Sequence, residues 1–412
     1  MDQKLLSQLY GAAAVPVQKE RYAELLNAHR ERFGERAGLQ FVSAPGRTEI
    51  AGNHTDHNHG RVLAAAINLD TIAAAAPNEK SIVTLHSAGY SRPFIVDLHD
   101  FSPRKGERET SLSLIRGVAS RMNALGYKVG GFDAAVTSTV FKGSGLSSSA
   151  AFEVLICTIF DALYNGMVVE PKLRAKIARY AENEYFGKPC GLMDQMASSV
   201  GGLVAIDFAK DDPDVQAMAY DFEAKGYALV VVSAGGEHGN LTADYAAMPR
   251  EMKAVAQALG GQVLRDIDPA VIEGGVAKLK GKVSDRAILR ALHFIDEDAR
   301  VPELVTALQA DDLTGFFEGI IESGESSWKL LQNIYTTSGE NQEMSLALEL
   351  SRRLLSGRGA WRIHGGGFAG TILAFVPLNF LPEYARRMNE VFGENSVTPL
   401  MLRPLGAIAM TP

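Results

Sequence analysis

Apolar residues recur along this chain at two spacings, and the places where the spacing changes mark its elements. Residues 17–33 carry Tyr22, Leu25, Leu26 and Phe33 at helical spacing among charges, with Gly34 as a stop, which predicts an amphipathic helix. Before it, residues 1–15 are weakly patterned. Residues 39–43 read as a short strand ending at Ala44-Pro45-Gly46, where a turn is expected. An alanine-rich apolar run over 62–76 predicts a buried strand, and two more strands over 81–87 and 93–98 are joined through Gly89. A helix is expected over 111–125, then a strand over 131–139, then a buried helix from about Phe152 onward. A second helix spans 171–186, with Pro171 suited to its first turn, and strands over 203–208 and 228–233 flank a polar turn at 210–213. The second half is richer in helix, with candidates at 244–259, 283–297, 301–310, 313–323, 342–355 and 382–392 and a strand at 371–376. Strands and helices mixed over two lobes give an α+β protein. The expected division is 1–215 and 216–412, with the final strand, 401–410, a candidate to return to the first domain.

One stretch interrupts this rhythm. Gly143-Ser144-Gly145-Leu146-Ser147-Ser148-Ser149 lies between a strand and an apolar helix. The first-turn N–H groups of a helix lack partners and sit at the positive end of its dipole. Glycines let a ligand approach the backbone and serine hydroxyls add donors, so the segment suits a phosphate; a serine N-cap on a core helix is the plainer alternative.

Composition narrows the setting. With 412 residues, 46% hydrophobic and 22% charged, the chain can bury a large core in about two domains. A net charge of −7 without a lysine or arginine block argues against a nucleic-acid surface. Two cysteines, Cys157 and Cys190, are too few for a disulfide framework. No signal sequence opens the chain and no apolar run is long enough to span a bilayer, so a cytoplasmic protein with no membrane partner is expected.

Two further polar stretches carry candidate chemistry. Residues 45–58 crowd Arg47, Asn53, His54, Asp56 and His57 into a glycine-bounded segment. His54, His57, His59 and Asp56 are of the right type for a metal, but their spacing fits no standard zinc pattern. Carboxylate, imidazole and amide together suit a polyhydroxylated substrate better, with a solvated loop as the alternative. The second stretch, 187–196, sets Asp194 between Met193 and Met196 after a Pro/Gly turn, as a helix cap or as an acceptor of a substrate hydroxyl. Gly365-Gly366-Gly367-Phe368-Ala369-Gly370 fits Gly-x-Gly-x-x-Gly, but a strand follows it, which excludes a dinucleotide fingerprint.

Taken together, these stretches resemble the motifs of the GHMP kinase superfamily, and specifically the galactokinase family. Residues 46–56 look like the galactokinase signature, 143–151 like the phosphate loop, 364–370 like the C-terminal glycine motif, and 190–195 are a further match. A weaker match covers 290–300. The resemblance implies a two-lobed fold with the site between the lobes, ATP and Mg²⁺ as cosubstrates, and phosphorylation of a sugar's anomeric hydroxyl. It implies Asp194 and Arg47 as catalytic, and Asn53, His54, Asp56, Gly191 and Tyr245 as sugar-binding. Lys142, Gly143, Ser144, Gly145, Leu146, Ser147, Ser148, Ser149 and Ala150 would bind ATP, with Ser149 and Glu182 on the metal.

Departures accompany the match. The family signature usually reads Arg-Val-Asn-Leu-Ile-Gly-Glu-His, whereas this chain has Glu49 for the Asn and Asn53 for the Glu. Ser111 and Leu114 stand where many galactokinases place aromatics beside adenine. The expected activity is a sugar-1-kinase acting on D-galactose as a monomer. The alternatives are a related kinase for a uronic acid, pentose or N-acetylated sugar, or a silent galactose/ATP sensor.

Overall fold

The computed structural model describes residues 1–140, 145–188, 190–235, 242–335, 342–368 and 370–412. Among these the strands are β1 (Gln40–Ala51), β2 (Arg61–Pro77), β3 (Ile82–Ser87), β4 (Phe94–Asp97), β5 (Phe132–Ser138) and β6 (Leu203–Asp207). They are followed by β7 (Asp214–Met218), β8 (Tyr227–Gly235), β9 (Ala360–Ile363), β10 (Gly370–Pro377), β11 (Val397–Leu400) and β12 (Ile408–Met410). One sheet runs β12-β1-β2-β5-β3-β4, with β6 on the far end of long β2 and β7 beyond it. The other is the antiparallel set β11-β8-β10-β9. The chain's last strand lies antiparallel beside β1, pairing Phe41 with Met410. No helix among the described residues is long and apolar enough to cross a membrane.

The apolar helix Ser148–Tyr164 is buried nearly all round, because it packs between the first sheet and neighbouring helices. A second core joins the sheets. Ile50, Leu63 and Leu203 of the first meet Leu229, Val231 and Phe375 of the second, with Phe316 and Ile320 of the helix Leu313–Ser326 between them.

Some expected boundaries are corrected. No turn forms at Pro45-Gly46; β1 continues through it, with register shifts between Pro45 and Arg47 and between Glu49 and Ala51. Such bulges bend a strand and re-aim its side chains. The helices expected over 283–297 and 301–310 are one, Asp285–Gln309. Pro302 is exposed, and the Asp298 carbonyl left without its helical partner is met by Arg61 Nη1 at 3.5 Å. The helix expected over 171–186 is regular only over Pro171–Tyr180 and widens into a π-helical turn over Ala181–Phe186. Helix Gln3–Tyr10 and strands β7 and β11 were not legible, being short or largely exposed.

The buried core of the first sheet contains a cluster built on an acidic side chain. Asp70 of β2 is fully buried and accepts from Tyr10 Oη (2.5 Å), Ser43 Oγ (2.5 Å), Arg21 Nη1 (2.6 Å) and Arg403 Nη1 (3.1 Å). Burial is the largest influence on its carboxyl and pushes the pKa up, but the two guanidinium charges and the hydroxyl donors outweigh it and hold the carboxyl below its usual range. Asp70→Ala leaves Arg403 buried without its anion and is expected to cost about 3–5 kcal/mol at pH 7, measured by urea unfolding. Because the folded pKa is depressed, this contribution is present above about pH 4 and is lost as pH falls through the folded value. The gap between wild type and variant should therefore close in acid. A loss under about 1 kcal/mol at pH 7 would show that the cluster does not hold the sheet.

Candidate active site

Gly46 brings β1 against the N-terminus of the helix Ser148–Tyr164. A Cβ at Gly46 would meet the Leu146 carbonyl oxygen at 2.9 Å, and the Arg47 N–H donates to that oxygen at 3.1 Å. The adjoining bulge turns the Arg47 side chain into the cleft, where Nε donates to Asp194 Oδ1 at 2.7 Å and Nη1 to the Gly145 carbonyl. Ser147, left-handed at φ 58°, donates its hydroxyl to the other Asp194 oxygen. Asp194 is the second residue of the helix Met193–Val200, so it is not a cap, and its oxygens are held by Arg47 and Ser147. Burial pushes its pKa up most strongly, but the Arg47 charge and the two donors prevail, and the carboxyl lies below its ordinary range. It is an anion at neutral pH.

The glycine motif closes this corner. A Cβ at Gly145 would stand 2.8 Å from Thr371 Oγ1 and 3.1 Å from His364 Nδ1. His364 is buried, its ring nitrogens bonded to Thr371 Oγ1 (2.9 Å) and the Glu49 N–H (3.4 Å). Burial first, then the charges of Arg47 and Arg362, drive its pKa well down, so the ring is neutral. Leu146 and Ala150 are buried and Ser148 opens the helix. Lys142, Gly143, Ser144, Pro189 and Ala369 lie outside the described residues.

Behind Asp194 is a second acidic group. Ser149 Oγ is 3.3 Å from Glu182 Oε1, and Lys188 Nζ is 3.6 Å from the same oxygen. Glu182 lies on the π-helical turn, a kind of irregularity frequent at functional sites. The Gln195 amide donates to Glu182 Oε2 at 2.8 Å and to Glu153 Oε2 at 3.1 Å. Burial, then the charge of Glu182, raises the Glu153 pKa well above normal. Ser149 and Glu182 thus present two hard oxygen donors at one point, which fits Mg²⁺, an ion that takes few protein ligands and completes its shell with water and phosphate.

On the other side of Asp194, a Cβ at Gly191 would fall 2.0 Å from Asp56 Oδ2, so only glycine fits beside that carboxylate. His54 donates Nε2–H to the Gly366 carbonyl at 3.0 Å and stacks on His57. Burial, with a smaller push from His57, lowers its pKa to about 4, leaving it neutral. Tyr245, on the helix Thr242–Ala258, donates to the Gly367 carbonyl at 2.7 Å and meets Phe368 edge-on. A cavity of about 310 Å³ reaches Asp56 and Gly191, lined also by His57, His59, Arg179 and Lys210.

Asn53 is placed elsewhere. It is fully buried; its Nδ2 donates to Glu49 Oε1 and the Gly365 carbonyl, both at 2.8 Å, and its Oδ1 accepts from Asn333 Nδ2 at 2.8 Å. Glu49 also takes Arg362 Nη2 at 3.0 Å. Glu297 accepts the Gly52 N–H at 2.9 Å and Ser323 Oγ at 2.5 Å. Burial pushes Glu297 up, but Arg362, His293 and Arg300 bring its carboxyl down to about 2. Nothing local in the sequence marks Arg362 or Asn333, and Gln195 stands out only as the last residue of the matched stretch 190–195. His293, Glu297 and Arg300 do share one helix face by their spacing, a usable signal within the weak match at 290–300.

The chain is similar to known proteins in both sequence and fold. Residues 27–77 match the family model of the galactokinase galactose-binding signature, and residues 113–202 that of the GHMP kinases N terminal domain. A galactokinase of Glaesserella parasuis is 31% identical over 358 residues, 86% of this chain and 89% of that protein. The Homo sapiens galactokinase is 29% identical over 386 residues, 92% and 94% of the two chains. Lactococcus lactis galactokinase, solved with galactose, superposes with a TM-score of 0.80 at 22% identity, covering 93% of this chain and 98% of that one. Methanococcus jannaschii mevalonate kinase gives 0.62 at 16% identity, over 89% and 99%. The chain belongs to the galactokinase family of the GHMP kinases.

Proposed function

We propose that the protein transfers the γ-phosphoryl group of ATP to the anomeric hydroxyl of D-galactose. The observation that carries this reading is the contact of Arg47 with Asp194 at the N-terminus of the helix Ser148–Tyr164. There an anionic hydroxyl acceptor and a guanidinium meet helix N–H groups suited to phosphate. The sugar's O1–H would replace the Ser147 hydroxyl on Asp194. The O1–Pγ bond forms as the bond from Pγ to the β,γ-bridging oxygen breaks, ADP leaves, and the O1 proton passes to Asp194. With its pKa held down, Asp194 is a weak base; it orients O1–H and takes the proton late, while Arg47 stabilises charge on the transferring group. His54, Asp56, Gly191 and Tyr245 line the side on which the sugar ring would lie. Ser149 and Glu182 would hold Mg²⁺, whose charge offsets that of the phosphates.

A second reading, a sugar carrying an anionic substituent, has one feature in its favour, Arg179 and Lys210 on the wall of the cavity beside Asp56, though Asp211 on the same wall offsets part of their charge.

An ADP-release assay across free sugars tests both, and D-galactose should be consumed with one ADP formed per sugar. Turnover of a uronic acid without turnover of galactose would replace the first reading by the second. Asp194→Ala should lower kcat by a factor of about 10² or more while calorimetry still detects sugar binding; near-normal turnover removes Asp194 from the reaction. Gly191→Ala drives a methyl into the Asp56 carboxylate and should raise the sugar KM roughly tenfold or more. An unchanged KM would place the sugar away from Asp56.

A further inference from the structure

Gln195 follows Asp194 on the same short helix, but its side chain lies inside the protein, where it is 1% exposed. Its two amide hydrogens go to two different carboxyl groups, Glu182 Oε2 at 2.8 Å and Glu153 Oε2 at 3.1 Å. Its own oxygen has no partner. Turned over, the amide would aim that oxygen at both carboxyl groups, so the two donors fix its orientation. Glu153 stands four residues after Ser149, on the same face of the helix Ser148–Tyr164. Ser149, Glu182, Gln195 and Glu153 therefore close a ring, with the helix as its fourth side. Within that ring one Glu182 oxygen is held from behind, and the other faces Ser149 at 3.3 Å and the Lys188 ammonium at 3.6 Å, which a divalent cation would displace.

We propose that Gln195 is a positioning residue that presents Glu182 Oε1 to a divalent cation beside Ser149. The proposal rests on the reading of Ser149 and Glu182 given above. A partner that orients a ligating carboxylate is typically worth about 10- to 100-fold in metal affinity. The same helix turn thus aims Asp194 at the acceptor and braces the cation's carboxylate through its neighbour.

Mn²⁺ binding to the full chain, followed by electron paramagnetic resonance with β,γ-imido-ATP present, reads this directly. Gln195→Met, of similar length without donors, should weaken Mn²⁺ binding by about 10- to 100-fold, with the sugar KM within about twofold of wild type. Gln195→Glu puts a third carboxyl against the other two and gives a second variant should the first not fold. Glu182→Gln sets the scale, and adding Gln195→Met to it should bring little further loss. If Glu182→Gln weakens Mn²⁺ binding and neither Gln195 variant does, the inference falls and the proposed function stands. A lower melting temperature with unchanged Mn²⁺ affinity also overturns it, since packing alone would do that. If Glu182→Gln binds Mn²⁺ like wild type, the reading of Glu182 as a ligand falls, and the role of Gln195 with it.

Discussion

The Arg47–Asp194 contact is the constraint to which the rest of the site is fitted. It ties a bulge in β1 to the first turn of a distant helix, and the same guanidinium holds the Gly145 carbonyl. Three glycines make the approach possible: Gly46 against Leu146, Gly145 against Thr371 and His364, and Gly191 against Asp56. Each admits a neighbour closer than a Cβ would allow. The electrostatic result is a half-buried aspartate that stays charged. Such a group holds a hydroxyl in line better than it removes a proton, so positioning and charge carry the larger share of any acceleration here.

Around that contact the two sheets are fastened by buried charge. Glu297 binds the Gly52 N–H from one long helix, and Arg362 binds Glu49 from the second sheet. Glu49 and Asn53, the two departures from the family signature that exchange carboxylate and amide, touch each other at 2.8 Å. Carboxylate and amide have exchanged places across one hydrogen bond, which keeps a donor facing an acceptor. Asn53 is consumed by that bond and by the glycine motif and Asn333, which explains why a residue inside the signature lies behind the cleft.

Much of this was legible in the sequence, for physical reasons. Long apolar runs and glycine stops marked most helices and strands, and clustered glycine, serine and charge marked the stretches that meet in the cleft. Misreadings arose where tertiary contacts override a local signal. Pro45-Gly46 looks like a turn but serves close packing inside a strand, and Pro302 looks like a break but is tolerated where Arg61 meets the freed carbonyl. Arg362 was invisible, and Gln195 was legible only as the end of a matched stretch, because their roles depend on partners from other segments.

The Asp70 cluster bears on how the chain acquires its fold during synthesis. Two of its cationic and hydroxyl donors, Tyr10 and Arg21, emerge early, but Arg403 lies more than 300 residues after Asp70 in the 412-residue chain. β12, which borders β1, comes later still. The first sheet therefore lacks one of the two guanidinium partners of Asp70, and the strand along that edge, until residues 403–410 have been made. Domains ordinarily fold in turn as they leave the ribosome; here the first sheet must wait for residues 403–410, and a nascent chain cut short before Arg403 would carry a buried anion lacking one of its two guanidinium partners.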